Sequence, residues 1–304
     1  MSLSALVIGF GSIGKRHVEI MNAMDEIAHL AVLSSQSDLP YDTLSSLKDI
    51  PRLNPDYVVI ASPTNMHKHQ LKFIEENLQG KKILVEKPLF DSMDEFVVHN
   101  NKVVVGYNLR FHPLLNKIKD LCNDRRLWTL HVICGSYLPE WRPNRDYRKA
   151  SSARKDSGGG VLLDLSHELD YVQWLTGPLD VDHAVSKKVS NLEIDSDDLL
   201  LFSGRAQGGA CVHIALNYFT REPIRQIILD GEGISIQGDL IANSFSATVE
   251  GKKSDFSWRD LERNETYRAM HHAVLEGDFS NICNYDQGVQ TMVLIERIRS
   301  WPQG

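Results

Sequence analysis

A group of glycines near the amino terminus has the spacing of a phosphate-binding turn. Gly9, Gly11 and Gly14 form a GxGxxG pattern directly after an apolar run and at the start of an amphipathic stretch. In such a turn the first glycine permits a tight bend, the second lets the backbone approach a pyrophosphate, and the third allows close helix–strand packing. Free backbone N–H groups at the helix start then hold the phosphates. The pattern predicts dinucleotide contacts at Gly9, Gly11, Ser12, Ile13 and Gly14.

The position about 20 residues beyond this motif normally contacts the adenosine ribose and separates NAD from NADP. Ser34, Ser35 and Gln36 occupy it here, and no acidic residue follows until Asp38. The two serine hydroxyls can accommodate a 2′-phosphate with help from Arg16, although no arginine clamp follows. We therefore expect NADP or NAD, with a slight preference for NADP.

Two further loops carry polar groups directly after apolar runs. One contains Pro63, Thr64 and His67, and the other contains Glu86, Lys87 and Pro88. Ligands of open α/β sheets lie beyond the carboxyl ends of the strands, so both loops are expected to face the cofactor. Pro88 restricts Lys87 to an extended conformation. A lysine held there can transfer a proton, while an ordinary surface lysine is the simpler alternative. The predicted cofactor contacts in these loops are Pro63, Thr64, His67 and Glu86.

A third set of polar groups follows the glycines 158–160. Asp164, His167 and Tyr171 have the i, i+3, i+7 spacing that places them on one face of a helix predicted over Leu162–Leu175. An imidazole titrates near neutral pH, so a histidine beside a carboxylate suits proton transfer to a hydroxyl group. The glycines allow a ligand or another backbone segment to come close. The alternative is a solvated helix face with a structural hydrogen bond.

A basic stretch precedes those glycines. Between Arg142 and Lys155 there are six basic residues and one acidic residue, in a chain whose net charge is −7. Arginine side chains pair bidentately with carboxylates and phosphates, so this stretch predicts an anion site, with a solvated charge run as the alternative. The predicted substrate contacts are Arg110, Arg142, Arg145, Tyr147 and Arg148.

The first third of the chain has the pattern of a sheet that can position these groups. Short runs rich in Val, Ile and Leu alternate with amphipathic stretches, of which His67–Leu78 has helical spacing. Such alternation predicts a doubly wound parallel sheet of the Rossmann type, covered on both faces. The expected strands are Leu3–Gly9, Ala28–Leu33, Tyr57–Ala61, Lys82–Val85 and Lys102–Gly106.

Beyond Pro113 strands dominate, separated by turn signals, which is typical of an antiparallel sheet. The fold class is therefore α/β: a nucleotide-binding Rossmann domain over residues 1–112 and an α+β domain with a large open antiparallel sheet over 113–286. Helix 287–300 is expected to pack back on the first domain. The other expected elements are strands Thr129–Ile133, Leu199–Ser203, Ala210–Asn217, Ile224–Leu229 and Ser244–Val249 and a helix at Glu265–Leu275.

The composition excludes several other classes. With 304 residues, 42% of them hydrophobic and 24% charged, the chain suits a globular protein of two domains. Its negative charge opposes binding to nucleic acid or to an anionic membrane. No apolar stretch reaches the ~20 residues of a membrane span, and the amino terminus lacks the pattern of a signal peptide. Four dispersed cysteines predict neither a disulfide framework nor a metal site, so we expect a cytoplasmic protein without a metal.

The motifs together resemble one family over essentially the whole chain. GxGxxG, Pro-Thr-x-x-His, Glu-Lys-Pro and a later Gly-Gly-Gly…Asp…His…Asp occur in the order typical of the Gfo/Idh/MocA oxidoreductases. The resemblance implies a Rossmann domain, a second domain on a large open antiparallel sheet, and bound NAD or NADP. It also implies oxidation or reduction of a CH–OH group of a sugar, cyclitol or sugar nucleotide.

The resemblance further implies roles for individual residues. Lys87 corresponds to the family's catalytic lysine, and the segment with Asp164 and His167 supplies the aspartate and histidine that complete the site. Many members have three residues between that aspartate and histidine, whereas only Leu165 and Ser166 stand between them here. We therefore give His167 more weight, and expect it to remove the hydroxyl proton, aided by Lys87, as hydride leaves the same carbon.

The substrate and assembly expectations follow from the same resemblance. With the basic stretch, it points to an anionic sugar: a sugar acid, sugar phosphate or nucleotide sugar. The segments GYNLRFHP and WRPNRDYRK also look like a subgroup associated with bacterial surface sugars. Members are commonly dimers or tetramers, and we expect pairing through the exposed sheet face. Two alternatives stay open: glycoside cleavage or elimination without net redox change, and a non-catalytic dinucleotide-sensing regulator.

Overall fold

The computed structural model describes residues 2–93 and 96–302. The chain divides into two compact units, one formed by Met1–Phe111 and Arg263–Val289 and the other by His112–Glu262 and Gln290–Gly304. We had expected 113–286 to form the second domain without interruption, whereas the segment 263–289 joins the first unit. Among the described helices, none combines the length and the apolar character needed to cross a bilayer.

The elements are numbered in chain order. The strands are β1 Leu3–Ile8, β2 Ile27–Leu33, β3 Asp42–Leu44, β4 Tyr57–Ile60, β5 Lys82–Val85, β6 Lys102–Val105, β7 Leu127–Gly135, β8 Leu179–Lys187, β9 Leu199–Ala206, β10 Cys211–Asn217, β11 Ile224–Gly231, β12 Ile234–Asp239, β13 Ser244–Val249, β14 Lys252–Ser257 and β15 Cys283–Asn284. The helices are α1 Ser12–Met21, α2 Ile50–Leu53, α3 Thr64–Asn77, α4 Pro113–Cys122, α5 Val161–Asp164, α6 Ser166–Thr176, α7 Glu265–Glu276 and α8 Tyr285–Arg299.

The first unit contains the expected parallel sheet. Among the described residues its seven strands lie in the order β15-β6-β5-β4-β1-β2-β3, and β15 alone pairs antiparallel, with β6. Without β15 this is the 3-2-1-4-5-6 order of the doubly wound fold, so the predicted fold is confirmed. The order reverses between β1 and β4, which places the ends of these two strands where such sheets bind nucleotides.

The core of the first unit explains why α7 belongs to it. Val7 and Val59 of the central strands and Val18 of α1 are fully buried, and they form one apolar cluster with Met270 and Val274 of α7. Because these two residues come from the carboxyl-terminal third of the chain, the first unit is completed by a segment far away in sequence. The apolar face of α7 thus replaces water over the sheet and α1.

The second unit contains an eight-stranded sheet among the described residues, in the order β14-β13-β12-β11-β7-β10-β9-β8. Its neighbours pair antiparallel, as expected, except that β10 and β7 are parallel. On one face Leu130, Val132 and Ile227 are buried. On the other, Ile133 and Leu201 remain 38% and 44% exposed, so this face is open in the single chain.

The helix predicted over Leu162–Leu175 is interrupted. Leu165, with φ −98° and ψ 27°, separates α5 from α6. The expected common face was therefore wrong for Tyr171, which is fully buried. The last helix, α8, begins slightly earlier than predicted, and its residues 285–289 belong to the first unit while the rest belongs to the second.

Candidate active site

The glycines of the first turn answer to different constraints. Gly9 has φ +97°, and a Cβ there would lie 2.8 Å from the backbone of Ala61 and Ser62. A Cβ on Gly14 would overlap the Gly9 carbonyl group, whereas a Cβ on Gly11 would meet no atom within 4 Å. Gly9 is thus required by the packing of the turn against the end of β4, Gly14 is required by the contact of α1 with the Gly9 carbonyl group, and Gly11 faces open space.

The turn has the features that a dinucleotide pyrophosphate needs. Gly11 is the N-cap residue of α1, and as a glycine it has no side chain that could cap the first helical turn. The first N–H groups of an α-helix have no intrahelical acceptors, and the helix dipole favours an anion there. A helix start beside the open space at Gly11 fits bound phosphate groups. The residues present therefore fit a dinucleotide at Gly9–Gly14.

The predicted ribose position offers little to a 2′-phosphate. The Ser34 hydroxyl accepts the Gln36 N–H group at 3.0 Å, and the Gln36 side chain donates to the Phe10 carbonyl oxygen at 3.0 Å. The Arg16 guanidinium, which we expected to help, lies 5.2 Å from the centre of the Tyr267 ring. The cation that NADP would need is thus engaged elsewhere in the first unit.

His67 joins the two polar loops to each other. Its Nδ1 lies 3.1 Å from the Pro88 carbonyl oxygen and its Nε2 lies 3.0 Å from the Ser62 carbonyl oxygen. The ring is 1% exposed, and burial lowers the pKa of His67 from its ordinary 6.5. This side chain positions the loops after β4 and β5, and the expected direct contact with the cofactor has no support in its geometry. Pro63 and Thr64, at the start of α3, keep some exposure.

Glu86 and Lys87 differ sharply in their surroundings. Glu86 is buried, with one carboxylate oxygen 3.0 Å from His17 Nε2 and the other accepting the Lys87 backbone N–H at 3.3 Å. Its side chain therefore supports the loop from inside, which corrects the expectation of a cofactor contact. Lys87 is only half-buried and precedes Pro88 across a cis peptide bond. Its position after β5 is the predicted one.

In the second unit, the segment Val161–Val172 is buried apart from two residues. Within that range only Asp164 and His167 keep partial exposure. The Asp164 carboxylate accepts the Tyr218 hydroxyl proton at 2.6 Å. Burial and the Asp164 charge raise the pKa of Tyr218 well above its ordinary 10, so the hydroxyl remains a donor. Asp164 is thus oriented by a partner that spacing arguments did not reveal.

The close approach predicted at the glycines is made by the protein itself. Gly160 has φ +116°, and a Cβ there would overlap the Asp197 carboxylate. Asp197 accepts the Leu162 N–H at 3.0 Å, and burial raises the pKa of this carboxyl above 3.8. Sequence reasoning missed Asp197 and Tyr218. The only signals were an acidic run before β9 and a tyrosine directly after β10.

The basic stretch is less available to a ligand than its charge suggested. The Arg148 guanidinium donates to Asp146 at 2.8 Å and to Glu193 at 3.2 Å. The Tyr147 hydroxyl accepts the Glu193 N–H at 3.2 Å. Arg142 and Arg145 are exposed in the same loop. Arg148 and Tyr147 therefore stabilise the loop, and the other two arginines keep their side chains towards solvent.

Arg110 is not placed as expected. It is 2% exposed, and its guanidinium donates to the Gln287 side chain at 2.7 Å within the first unit. Burial of an arginine requires such partners, because an unpaired charge inside a protein is costly. This contact gives Arg110 a structural role between the end of the sheet and the start of α8.

Two family models match this chain. One, described as "Oxidoreductase family, NAD-binding Rossmann fold", matches residues 3–102, and the other, described as "GFO/IDH/MocA C-terminal domain", matches residues 115–237. The chain belongs to the Gfo/Idh/MocA family of oxidoreductases. The resemblance of its motif order is confirmed, as is the predicted NAD-binding domain. The preference for NADP gains no support, because the matching model is described as NAD-binding.

Curated proteins of bacteria are similar to this chain over most of its length. The uncharacterized oxidoreductase YrbE of Bacillus subtilis is 27% identical over 283 residues, which cover 84% of this chain and 78% of the relative. A 2,7-anhydro-N-acetylneuraminate hydratase of Mediterraneibacter gnavus is 22% identical over 296 residues, covering 89% of this chain and 77% of that protein.

Solved structures share the fold of this chain. Levoglucosan dehydrogenase in complex with NADH superposes with a TM-score of 0.81 at 17% identity, covering 98% of this chain and 96% of that one. The WlbA dehydrogenase of Bordetella pertussis, in complex with NADH and UDP-GlcNAcA, has a TM-score of 0.76 at 20% identity with the same coverage.

Proposed function

We propose that this protein is an NAD-dependent dehydrogenase or reductase that transfers hydride to or from a secondary alcohol carbon of a sugar derivative. The observation that carries the proposal is the first unit's arrangement of Gly9–Gly14, with open space at Gly11, and Lys87 at the ends of strands of one parallel sheet. Membership of an oxidoreductase family and the sugar dehydrogenases among the solved structures of the same fold support it.

The chain's own residues would handle the proton of the reacting hydroxyl group. NAD, when bound, supplies or accepts the hydride. Lys87, half-buried after β5, and His167, half-buried at the start of α6, are the proposed proton-transfer groups, because both residue types act as general acids and bases in enzymes. Asp164, held by the Tyr218 hydroxyl, is the proposed third member.

The first experiment compares Lys87→Met with Lys72→Met. Lys72 lies on α3 and is exposed beside Glu76, so its variant controls for loss of a charge in the first unit. Levoglucosan, myo-inositol and UDP-GlcNAcA serve as probes with NAD. We expect K87M to bind NADH like the wild type and to lose about a hundredfold or more in kcat, and K72M to be unaffected. Unchanged turnover in K87M removes Lys87 from the mechanism.

For the cofactor we propose NAD. The position of the Arg16 guanidinium beside the Tyr267 ring supports it, since this cation is engaged away from the ribose position. Fluorescence titration should show tighter binding of NADH than of NADPH. Equal or tighter binding of NADPH contradicts the proposal.

For the substrate we propose an anionic sugar derivative held by Arg142 and Arg145. Both side chains are exposed in the basic stretch that precedes the glycines 158–160. We expect Arg145→Gln to raise KM for UDP-GlcNAcA about tenfold and to leave KM for neutral levoglucosan unchanged. Lys149→Gln removes the same charge four residues away and is the control. Equal effects on both probes, or in both variants, contradict a specific anion contact.

A second candidate is a reaction without net redox change. It is favoured by the similarity, over 89% of this chain, to the 2,7-anhydro-N-acetylneuraminate hydratase. Incubation of 2,7-anhydro-N-acetylneuraminate with the protein and NAD distinguishes the two. Product without accumulating NADH supports the second candidate, and stoichiometric NADH supports the dehydrogenase. Bound NAD that no sugar reduces, even in a single turnover, would leave the dinucleotide-sensing regulator.

For the assembly we propose that a second copy of the chain covers the open face of the eight-stranded sheet. Leu201, Ala215 and Ile133 lie opposite one another on the adjacent strands β9, β10 and β7, and so form an apolar row across that face. Contiguous exposed apolar surface of this kind commonly marks a protein–protein interface.

A further inference from the structure

Four buried side chains of the first unit form an unbroken line of hydrogen bonds that ends beside Lys87. The Tyr57 hydroxyl lies 2.8 Å from His271 Nδ1, His271 Nε2 lies 2.9 Å from His17 Nδ1, and His17 Nε2 lies 3.0 Å from Glu86 Oε1. The first three residues are 0% exposed and Glu86 is 5% exposed. We call this line the histidine chain. It joins β4, α7, α1 and the loop after β5.

With neutral histidines, only one donor-to-acceptor direction of the hydrogen bonds fits the histidine chain. A carboxylate only accepts hydrogen bonds, so His17 must donate from Nε2 to Glu86. A neutral His17 then has an acceptor at Nδ1, which requires the proton of His271 to be on Nε2. His271 Nδ1 is therefore the acceptor of the Tyr57 hydroxyl proton. Every donor and acceptor along the line is satisfied when both histidines are neutral Nε2–H tautomers.

The burial of the histidine chain favours neutral side chains at the end that is distant from Glu86. Burial lowers the pKa of His271 well below its ordinary 6.5 and raises the pKa of Tyr57 well above its ordinary 10. The other titratable groups that face the chain are Arg16 from α1, Tyr267 and His272 from α7, and His67 from α3.

Glu86, at one end of the histidine chain, holds the backbone N–H group of Lys87. While Oε1 of Glu86 meets His17, Oε2 accepts the backbone N–H of Lys87 at 3.3 Å. A Cβ on Gly106 would lie 2.8 Å from Glu86 Oε1, so the missing side chain leaves room for the carboxylate. The orientation of the Glu86 carboxylate is thus set by His17, by Gly106 and by the Lys87 peptide together.

We propose that His17 and His271 are positioning residues for Lys87, acting through Glu86. The histidine chain holds the Glu86 carboxylate in one orientation, and that carboxylate fixes the backbone from which the lysine side chain extends. Neither histidine is a catalytic residue, because neither is proposed to touch substrate or cofactor. The inference rests on the proposed function in so far as Lys87 is the proton-transfer group there. A misplacement of about 1 Å at such a group can cost about a hundredfold in rate.

The first test concerns the histidine tautomers and needs no catalysis. Long-range ¹H–¹⁵N spectra of the ¹⁵N-labelled protein distinguish the two neutral tautomers and the imidazolium form of each ring. The signals of His17 and His271 are assigned by their absence from His17→Gln and His271→Gln. We expect both rings to be Nε2–H tautomers at pH 7 to 8. A proton on Nδ1 of either ring overturns the proposed direction, and with it the proposal.

The second test concerns the Lys87 amine. His17→Leu removes both hydrogen bonds, whereas His17→Gln supplies an amide N–H and a carbonyl oxygen at about the spacing of the ring nitrogens. Val18→Ala, a buried change at the next position of α1, is the control for lost packing. The rate at which acetic anhydride acylates Lys87 is followed from pH 7 to 10 by peptide mass spectrometry. We expect the pH dependence of this acylation rate to be displaced along the pH axis in H17L and to match the wild type in H17Q and V18A.

The same variants are then compared in kcat and KM with whichever probe the wild type turns over. We expect H17L to lower kcat about tenfold or more with little change in KM, and H17Q to recover most of the loss. If H17L keeps the wild-type acylation profile, the positioning role is refuted, whatever K87M does. If instead K87M keeps full turnover while H17L displaces the profile, the proposed proton-transfer role of Lys87 fails and the positioning of the lysine by His17 stands.

Discussion

Gly11 and Gly14 stand three positions apart in one turn and lack side chains for different reasons. A Cβ at Gly14 would overlap the Gly9 carbonyl group, so the contact between α1 and the end of β1 depends on the hydrogen atom there. Gly11 meets nothing within 4 Å, and the fold itself places no demand on it. The open position is the one that a ligand would use.

This difference gives a residue-scale prediction. Gly14→Ala should lower the stability of the protein by about 1–3 kcal/mol, because a side chain is forced into packed backbone. Gly11→Ala should unfold at the wild-type temperature and bind NADH more weakly, because only the bound nucleotide would meet the new methyl group. Thermal unfolding and NADH fluorescence titration measure the two effects. Wild-type NADH affinity in G11A would argue against a pyrophosphate at this turn.

At the scale of single elements, α5 depends on a residue from outside it. Asp197 accepts the Leu162 N–H at the start of this short helix, and its carboxylate fills the space left by Gly160. α5 carries Asp164 at its last position. A carboxylate from the loop before β9 therefore stabilises the segment that presents a candidate active-site residue.

We therefore predict that Asp197→Ala loosens α5 while Asp197→Asn largely preserves it. Loss of a capping acceptor costs about 1 kcal/mol, which corresponds to about fivefold faster amide exchange in the capped turn. Hydrogen–deuterium exchange of the peptide covering 160–165 measures this without any substrate. The strands β9 and β10 serve as internal reference. Uniform acceleration across the unit, or none in α5, would contradict the capping role.

The elements that the sequence predicted are those with a buried, regular pattern. The five strands expected in the first third correspond to β1, β2, β4, β5 and β6, because each contains a run of aliphatic residues of which several are buried. β14, with mostly exposed polar residues, has no such pattern and is held by pairing with β13. The parallel pairing of β7 with β10 was equally hidden, since a strand's own residues do not specify its neighbour's direction.

The candidate site was predictable to the same extent. Residues within one motif, such as Gly9–Gly14 and Lys87, were found because their spacing is local. The partners His17, His271, Asp197 and Tyr218 come from distant segments, and only the folded chain brings them to Glu86 and Asp164. The break at Leu165 was missed because the leucines continue at helical spacing through it.

At the scale of the whole molecule, buried histidines couple stability to pH. Burial lowers the pKa values of His67, His112 and His271 below the ordinary 6.5. As the pH falls below about 6.5, these histidines become protonated in the unfolded chain but stay neutral in the folded chain. The stability that their neutral forms permit at higher pH is therefore lost on acidification.

We predict that the free energy of unfolding falls by about 1 kcal/mol for each of these histidines between pH 7.5 and pH 5.5. Urea unfolding at the two pH values measures the loss. His271→Gln keeps a donor and an acceptor at that position but does not titrate. Its free energy of unfolding should therefore fall by less between the two pH values, by the amount that one histidine contributes. Identical urea midpoints of the wild type at both pH values would contradict the lowered pKa values.

The proposed pairing of sheet faces gives a second prediction at this scale. Leu201→Asp places a charge in the apolar row of the open face and should shift the protein to monomer, because burying an unpaired carboxylate is costly. Val97→Asp, at a 64% exposed position of the first unit, is the matched control. Light scattering after size exclusion reports the mass. An unchanged mass for L201D would place the contact between subunits elsewhere.

The first unit is closed by α7, whose residues enter its core and whose His271 completes the line to Glu86. During translation, residues 1–111 leave the ribosome about 150 residues before this helix is made. At 5–20 residues per second, that interval lasts roughly ten to thirty seconds. During that interval the part of the first unit's core that α7 later covers is open to solvent. An isolated fragment ending near residue 112 would lack α7, and its core would stay partly exposed. We therefore do not expect the amino-terminal segment with the glycine turn to form a stable domain by itself in another protein.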